Sequence, residues 1–310
     1  KAIALAIAQA LHSYSRRKKF VTDDFVSNTL VSLYGKCGTV KHSEEVFQNV
    51  SKCSVISWTA LISSYVEGGQ GKKALQAFLE MHAEGMDPNQ QTFVTALQAC
   101  CILEETNKDI VFEEKYTSAE IGLSLHTDAQ KKFYVLDAFV MTTLVGMYGK
   151  FGLLDKALYH FDRLPVRDIV AWTSLIQGYA QHGCGEEALN CFQLMQSEGV
   201  CSDLTTFVCC LQACSSIGSM EKGQEIHARM VVMGLLEGGA IAGSSLVNMY
   251  VKCGSVAKAQ AAFDRLYVRN VVTWTTLIMG YSDYGLDEEA LKSFVQMKKE
   301  GISPDGVTYV

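Results

Sequence analysis

Three stretches of this 310-residue chain repeat one another almost position for position, and a repeat constrains architecture more than any composition can. The stretch at 169–203 reads IVAWTSLIQGYAQHGCGEEALNCFQLMQSEGVCSD. WTSLIQGYAQHG matches WTALISSYVEGG and WTTLIMGYSDYG, and EEALNCFQLM matches KKALQAFLEM and EEALKSFVQM, in units 55–89 and 271–305. Each unit predicts two short helices. Trp172, Leu175, Ile176 and Tyr179 form one helical stripe; Ala188, Cys191, Phe192 and Met195 form the second. Gly183 and Gly185 are expected to end the first helix and Gly199 the second, since glycine accepts left-handed backbone. Such a hairpin is too small to bury both stripes, so it must stack on neighbours, as in a solenoid.

The rest of the chain fills in around these units. Short units of 31 residues lie at 24–54, 138–168 and 240–270. Long units lie at 90–137 (QQTFVTALQAC) and 204–239 (LTTFVCCLQAC); a partial long unit occupies 1–23, and another starts at 306–310 with GVTYV. Lengths of 31, 35 and 36 recur with a period of 102. The first complete long unit has 48 residues, with an acidic excess near 101–118, expected to be a surface loop or lengthened helix and otherwise a docking element. The expectation is a single all-α solenoid over 1–310, with eight complete hairpins.

Composition bounds the chemistry. A net charge of −6 argues against an indiscriminately basic nucleic-acid binder without excluding a local positive stripe. No run of 18 apolar residues is present, so no membrane span is expected. Most of the eleven cysteines follow the repeat: Cys37 and Cys253 share a place with Phe151, and Cys100 shares one with Cys214. Phenylalanine can replace neither a metal ligand nor a disulfide partner, so that first place is one of packing. Absence of CxxC fits reduced thiols in an intracellular compartment. Zinc deaminases need HxE followed by PCxxC; His42-Ser43-Glu44 matches the first by letters alone. His12, His126 and His227 share one place in the long units and read as structural. No cofactor, metal, catalytic residue or small-molecule substrate is expected.

The unit V-x-x-W-T-x-L-I-x-x-Y-x-x-x-G-x-x-x-x-A-L-x-x-F-x-x-M-x-x-x-G and the alternation of lengths resemble the PLS-class pentatricopeptide-repeat proteins of plant organelles over the whole chain. The tetratricopeptide repeat is the close rival, but Ile62, Ile176 and Ile278 stand where its glycine belongs. The resemblance implies a right-handed superhelix that binds single-stranded RNA in a mitochondrion or chloroplast, most often to specify cytidine-to-uridine editing, with RNA-editing accessory proteins as partners. The chain reads as a fragment, its targeting segment elsewhere. Two alternatives stand beside this: a protein-interaction scaffold, and the RNA-binding part of a cytidine deaminase whose catalytic domain lies beyond Val310.

In that family the fifth and last residues of a unit read one base. In the short units these are Asn28 with Ser54, Thr142 with Asp168, and Ser244 with Asn270. In the standard units they are Thr59 with Asn89, Thr173 with Asp203, and Thr275 with Asp305. A carboxylate only accepts hydrogen bonds and suits the ring N–H of guanine or uracil, whereas a terminal Asn or Ser can donate to the bare ring nitrogen of adenine or cytosine. A short fifth residue leaves room for a purine; Asn reaches a pyrimidine. With the RNA 5′ end at the N-terminus, the expected site is C-A-N-G-G-N-A-G, with N opposite the long units, whose fifth residues Val94 and Val208 cannot bond a base. The bland alternative for the last residues is helix N-capping. The second residues, Phe25, Ile56, Phe139, Val170, Ile241 and Val272, wedge between bases in the family, but apolar residues at a helix start equally fit a core. Lys36, Lys150 and Lys252, thirteenth in the short units, could meet phosphates or merely end a helix in solvent.

Overall fold

The computed structural model describes residues 2–18, 20, 23–50, 53–106, 117–236 and 240–309. These form 17 α-helices and, among the described residues, no strand. The helices gather in two compact units, Lys1–Val166 and Arg167–Val310.

The first unit holds α1 (Ala2–Arg17) and four hairpins. These are α2 (Asp24–Cys37) with α3 (Val40–Gln48), α4 (Val55–Glu67) with α5 (Gly71–Ala83), α6 (Gln90–Thr106) with α7 (Ser118–Lys131), and α8 (Ala138–Lys150) with α9 (Leu154–Asp162). Within it the first helices pack in succession, α2 on α4, α4 on α6 and α6 on α8. The second unit repeats the plan. Its hairpins are α10 (Ile169–Gln181) with α11 (Gly185–Ser197), α12 (Leu204–Ile217) with α13 (Met220–Val232), α14 (Ala240–Lys252) with α15 (Val256–Asp264), and α16 (Val271–Asp283) with α17 (Asp287–Lys299). There α10, α12, α14 and α16 form the succession of first helices.

The apolar stripes make the core. Trp172, Leu175, Ile176, Ala188, Phe192 and Met195 are buried, as are Trp58 and Trp274 at the matching place. Tyr179 and Cys191 lie half-buried at the stripe edges. Gly183 is left-handed at φ +79° and terminates α10, and Gly199, at φ +75°, terminates α11. Gly185 departs from expectation. It opens α11 instead of ending α10, and its role is close approach: a Cβ there would lie 2.6 Å from the Ala213 carbonyl oxygen. The excess in the first long unit begins as helix, α6 running three residues longer than α12. Residues 107–116 of that excess lie outside the described residues.

The recurrent histidines tie successive hairpins together. Nδ1 of His12 lies 3.0 Å from the Tyr34 hydroxyl, that of His126 2.5 Å from Tyr148, and that of His227 2.8 Å from Tyr250. Burial lowers all three histidine pKa values, which suits a neutral ring in a packed joint. Glu44 is also structural. It accepts from the Tyr65 hydroxyl at 2.9 Å and from Lys73 at 3.0 Å, and no cluster of metal-binding side chains occurs among the described residues.

Candidate nucleic-acid interface

The fifth residue of a unit lies in the first turns of a first helix, and the last residue directly precedes the next first helix. Five of the six last residues cap a first helix, and Asp305 makes the same bond ahead of the 3-10 turn Val307–Tyr309. Asp168 Oδ1 accepts from the Ala171 N–H at 2.9 Å, and Ser54 Oγ from the Ser57 N–H at 3.3 Å. Oδ1 of Asn89, Asp203, Asn270 and Asp305 accepts from the N–H of Thr92, Thr206, Thr273 and Thr308 at 2.8–3.0 Å. Each such bond satisfies one of the backbone donors that a helix start leaves over.

The capping bond also fixes which side-chain atom faces the helix start. An N–H must be met by an oxygen, so the amides of Asn89 and Asn270 turn Oδ1 inward and leave Nδ2, a donor, on the other side. In Asp168, Asp203 and Asp305 the same bond leaves Oδ2, an acceptor. The three aspartates are exposed and the two asparagines half-buried. Hydrogen bonds from Thr308 hold the Asp305 carboxyl below the ordinary carboxylate range, keeping it an acceptor.

The fifth residues sit more deeply. Thr59 and Thr275 are buried; Asn28, Thr142, Thr173 and Ser244 are half-buried. Ser244 Oγ donates to the Ala240 carbonyl at 2.7 Å. Asn28 Oδ1 is buried without a hydrogen-bond partner among the described residues. In all three standard units the fifth threonine bonds another threonine across 33 residues: Thr59 to Thr92 at 2.7 Å, Thr173 to Thr206 at 2.8 Å, Thr275 to Thr308 at 2.8 Å. The last residue bonds that same partner, so the two expected reading residues of a standard unit share one buried hydroxyl. Thr92, Thr206 and Thr308 are not among the residues the sequence reading singles out. The signal is there, since QQTF, LTTF and GVTY all carry threonine at the third place of a long unit.

The second residues settle on the surface. Phe25, Ile56, Phe139, Val170, Ile241 and Val272 are 56–80% exposed, so none belongs to the core. Six apolar side chains recurring at one register, all left in water, are a costly arrangement for a surface with no partner.

The three lysines part company. Lys36 and Lys252 are exposed. Lys150 is half-buried, its ammonium paired with Glu105. Lys36 borders a recess of about 310 Å³ between α2, α4 and α6, lined also by Ser32, Ser63, Ser64, Gln91 and Gln98.

The PPR repeat family matches residues 53–102, 167–216 and 269–310, and the PPR repeat matches 25–55 and 139–169. Among curated proteins of Arabidopsis thaliana, the pentatricopeptide repeat-containing protein CRR2, chloroplastic, is 33% identical over 93% of this chain and 43% of its own length. The pentatricopeptide repeat-containing protein At3g13770, mitochondrial, is 32% identical over 98% of this chain and 46% of its own length. The chain thus spans less than half of these two relatives. The maize pentatricopeptide repeat protein PPR10 superposes with a TM-score of 0.68 at 19% identity, covering 100% of this chain and 43% of that one. A PPR10 chain crystallised with an 18-nt psaJ RNA element gives a TM-score of 0.73 at 20% identity, over 100% of this chain and 45% of that one. At such identity the likeness is one of fold.

Proposed function

The chain belongs to the pentatricopeptide-repeat family, and from that premise we propose that it binds single-stranded RNA in a plant organelle in a sequence-specific way. One base faces each short or standard hairpin. The observation that carries the reading is the register of exposed apolar second residues beside polar fifth and last residues. Planar bases fill the first need by stacking between the apolar side chains, and their hydrogen-bonding edges fill the second. That PPR10 was crystallised with an RNA element, and that relatives are named mitochondrial or chloroplastic, supports both the ligand and the compartment.

The pairs Asn28–Ser54, Thr59–Asn89, Thr142–Asp168, Thr173–Asp203, Ser244–Asn270 and Thr275–Asp305 read the bases, giving a preferred site near C-A-N-G-G-N-A-G. Phe25, Ile56, Phe139, Val170, Ile241 and Val272 separate successive bases. Lys36 and Lys252 meet phosphates, and Lys150 contributes less while Glu105 holds it. The alternation of short, standard and long units supports the PLS class, and with it editing-site recognition aided by accessory proteins. These hairpins act by binding; any catalysis would be supplied elsewhere. The decisive experiment is competition binding of C-A-N-G-G-N-A-G against scrambled octamers of the same composition. Preference for the ordered site supports the reading. Equal binding would remove it and favour a protein-interaction scaffold.

A further inference from the structure

We propose that the third residue of each long unit, Thr92, Thr206 or Thr308, is a positioning residue for base recognition, because it turns the hydroxyl hydrogen of the preceding fifth threonine inward. The proposal rests on the base-reading role given above to the fifth and last residues. It adds a residue that touches no base and a reason why the Thr–Asp pairs of the standard units, Thr173–Asp203 and Thr275–Asp305, select guanine over uracil.

The polarity follows from the bonds. Asp203 Oδ1 lies 2.8 Å from both the Thr206 N–H nitrogen and the Thr206 hydroxyl. A carboxylate cannot donate, so the single hydroxyl hydrogen of Thr206 goes to Asp203. Thr206 Oγ1 can then only accept from Thr173, 2.8 Å away, and the Thr173 hydrogen points into the protein. The same chain runs from Thr275 through Thr308 to Asp305, at 2.8 and 2.7 Å. In the first standard unit Thr59 Oγ1 lies 2.7 Å from both Thr92 Oγ1 and the Val55 carbonyl, so its hydrogen stays inside whichever oxygen takes it.

A base approaching Thr173 and Asp203 therefore meets two acceptors side by side, the lone pairs of Oγ1 and Oδ2. Guanine is the one RNA base with two adjacent donors, its N1–H and N2 amino group. Uracil carries one N–H flanked by two carbonyl oxygens, and either carbonyl would face the threonine lone pairs. A threonine free to rotate would donate to that carbonyl and lose the distinction. The relay marks the standard units: Ser244 spends its hydrogen on Ala240, and Ala171 holds the third place behind the Asp168 cap with no hydroxyl. Ala171, fully buried, also shows that the fold accepts alanine at this place.

The test varies the fifth nucleotide of the octamer, comparing C-A-N-G-G-N-A-G with C-A-N-G-U-N-A-G on the complete chain. Wild-type protein should favour G. Thr206→Ala and Thr206→Val should reduce the G-to-U ratio by about tenfold, the loss of one good base contact. Thr206→Ser, which keeps the hydroxyl, should retain the ratio. If the variants melt cooperatively and weaken both octamers equally, Thr206 is structural only and the proposal fails. If the wild type itself shows no preference among bases at that nucleotide, it is the base-reading role that fails. The same substitutions at Thr308, read out at the last nucleotide, decide the matter should the Thr206 variants not fold.

Discussion

Gly35 in α2 faces Ser64 in α4 so closely that a Cβ on the glycine would lie 2.8 Å from the Ser64 Cα. The equivalent places in the second unit hold Val251 and Gly280, and there a Cβ on Gly280 would lie 2.6 Å from a Val251 methyl. One member of the pair is glycine in each case, but not the same member. The joint between a short and a standard hairpin thus keeps space, not residue identity, as close-packed interiors require.

Gly35→Ala should therefore destabilise the first unit by about 1–3 kcal/mol despite the better helix propensity of alanine, because Ser64 backbone must move. Adding Ser64→Gly should recover much of the loss, since that exchange approaches the Val251–Gly280 arrangement. Chemical denaturation of both variants measures it. A neutral single variant would mean the joint is looser than its geometry.

Salt separates the lysines. For single-stranded RNA, log affinity falls with log salt at a slope of about −0.7 per phosphate contact. Lys36→Ala and Lys252→Ala should each flatten the slope by about that amount. Lys150→Ala should change it less, because Glu105 already neutralises the ammonium. Titrations at several salt concentrations compare the three, and equal effects would show that the Lys150–Glu105 pair opens on binding.

Acid should weaken the first unit. His160 stacks on Tyr148 at 5.5 Å and meets His126 edge-on at 4.9 Å, with Lys156 and Arg163 near. Burial, and then these positive neighbours, lower its pKa from 6.5 to about 4. Between those values the unfolded chain holds the extra proton, so stability is full above about pH 6.5 and falls as pH drops toward 4. His126 is displaced the same way, by burial first. The loss between pH 7.5 and 5 should be about 1–3 kcal/mol, since each tenfold difference in proton affinity between the folded and unfolded chain is worth about 1.4 kcal/mol. His160→Leu should flatten part of the pH dependence of the denaturation midpoint; an unaltered profile would place the loss elsewhere.

Much of this is legible in the sequence because repetition supplies its own controls. Residues 24, 55, 90, 138, 169, 204, 240 and 271 open both the units of the sequence and the first helices of the fold. The tryptophan stripe predicts its own burial. The second residues cannot be placed this way, because an apolar residue in the first turn fits either a core or a surface wedge, and only three dimensions show Phe25 or Phe139 in water. Gly185 misleads a sequence reading because left-handed backbone and close approach call for the same residue. The hydroxyl shared by Thr173 and Asp203 joins positions 33 and three residues distant from Thr206, a link no periodicity of one helix displays.

Asp203→Asn separates capping from reading, because the fold already contains the answer for stability. Asn89 and Asn270 cap their helices through Oδ1 as Asp203 does, at 2.9 Å, with threonine at the same third place. Asparagine at 203 should therefore keep the cap, and the melting temperature should scarcely move, since Asn and Asp rank together as N-caps. What changes is the outward atom, from the acceptor Oδ2 to the donor Nδ2. The N1–H of guanine then loses its acceptor, while the bare N1 of adenine gains a donor. A good base contact discriminates by about 1–3 kcal/mol, so preference at the fifth nucleotide should move from G to A by roughly tenfold or more. The other seven nucleotides should keep theirs. Competition between C-A-N-G-G-N-A-G and C-A-N-G-A-N-A-G, run on both proteins beside a thermal melt, reads the two effects separately. An earlier melt with unmoved base preference would reduce Asp203 to a helix cap; an unchanged melt with a switched base would make one side chain both the cap of α12 and the reader of a nucleotide.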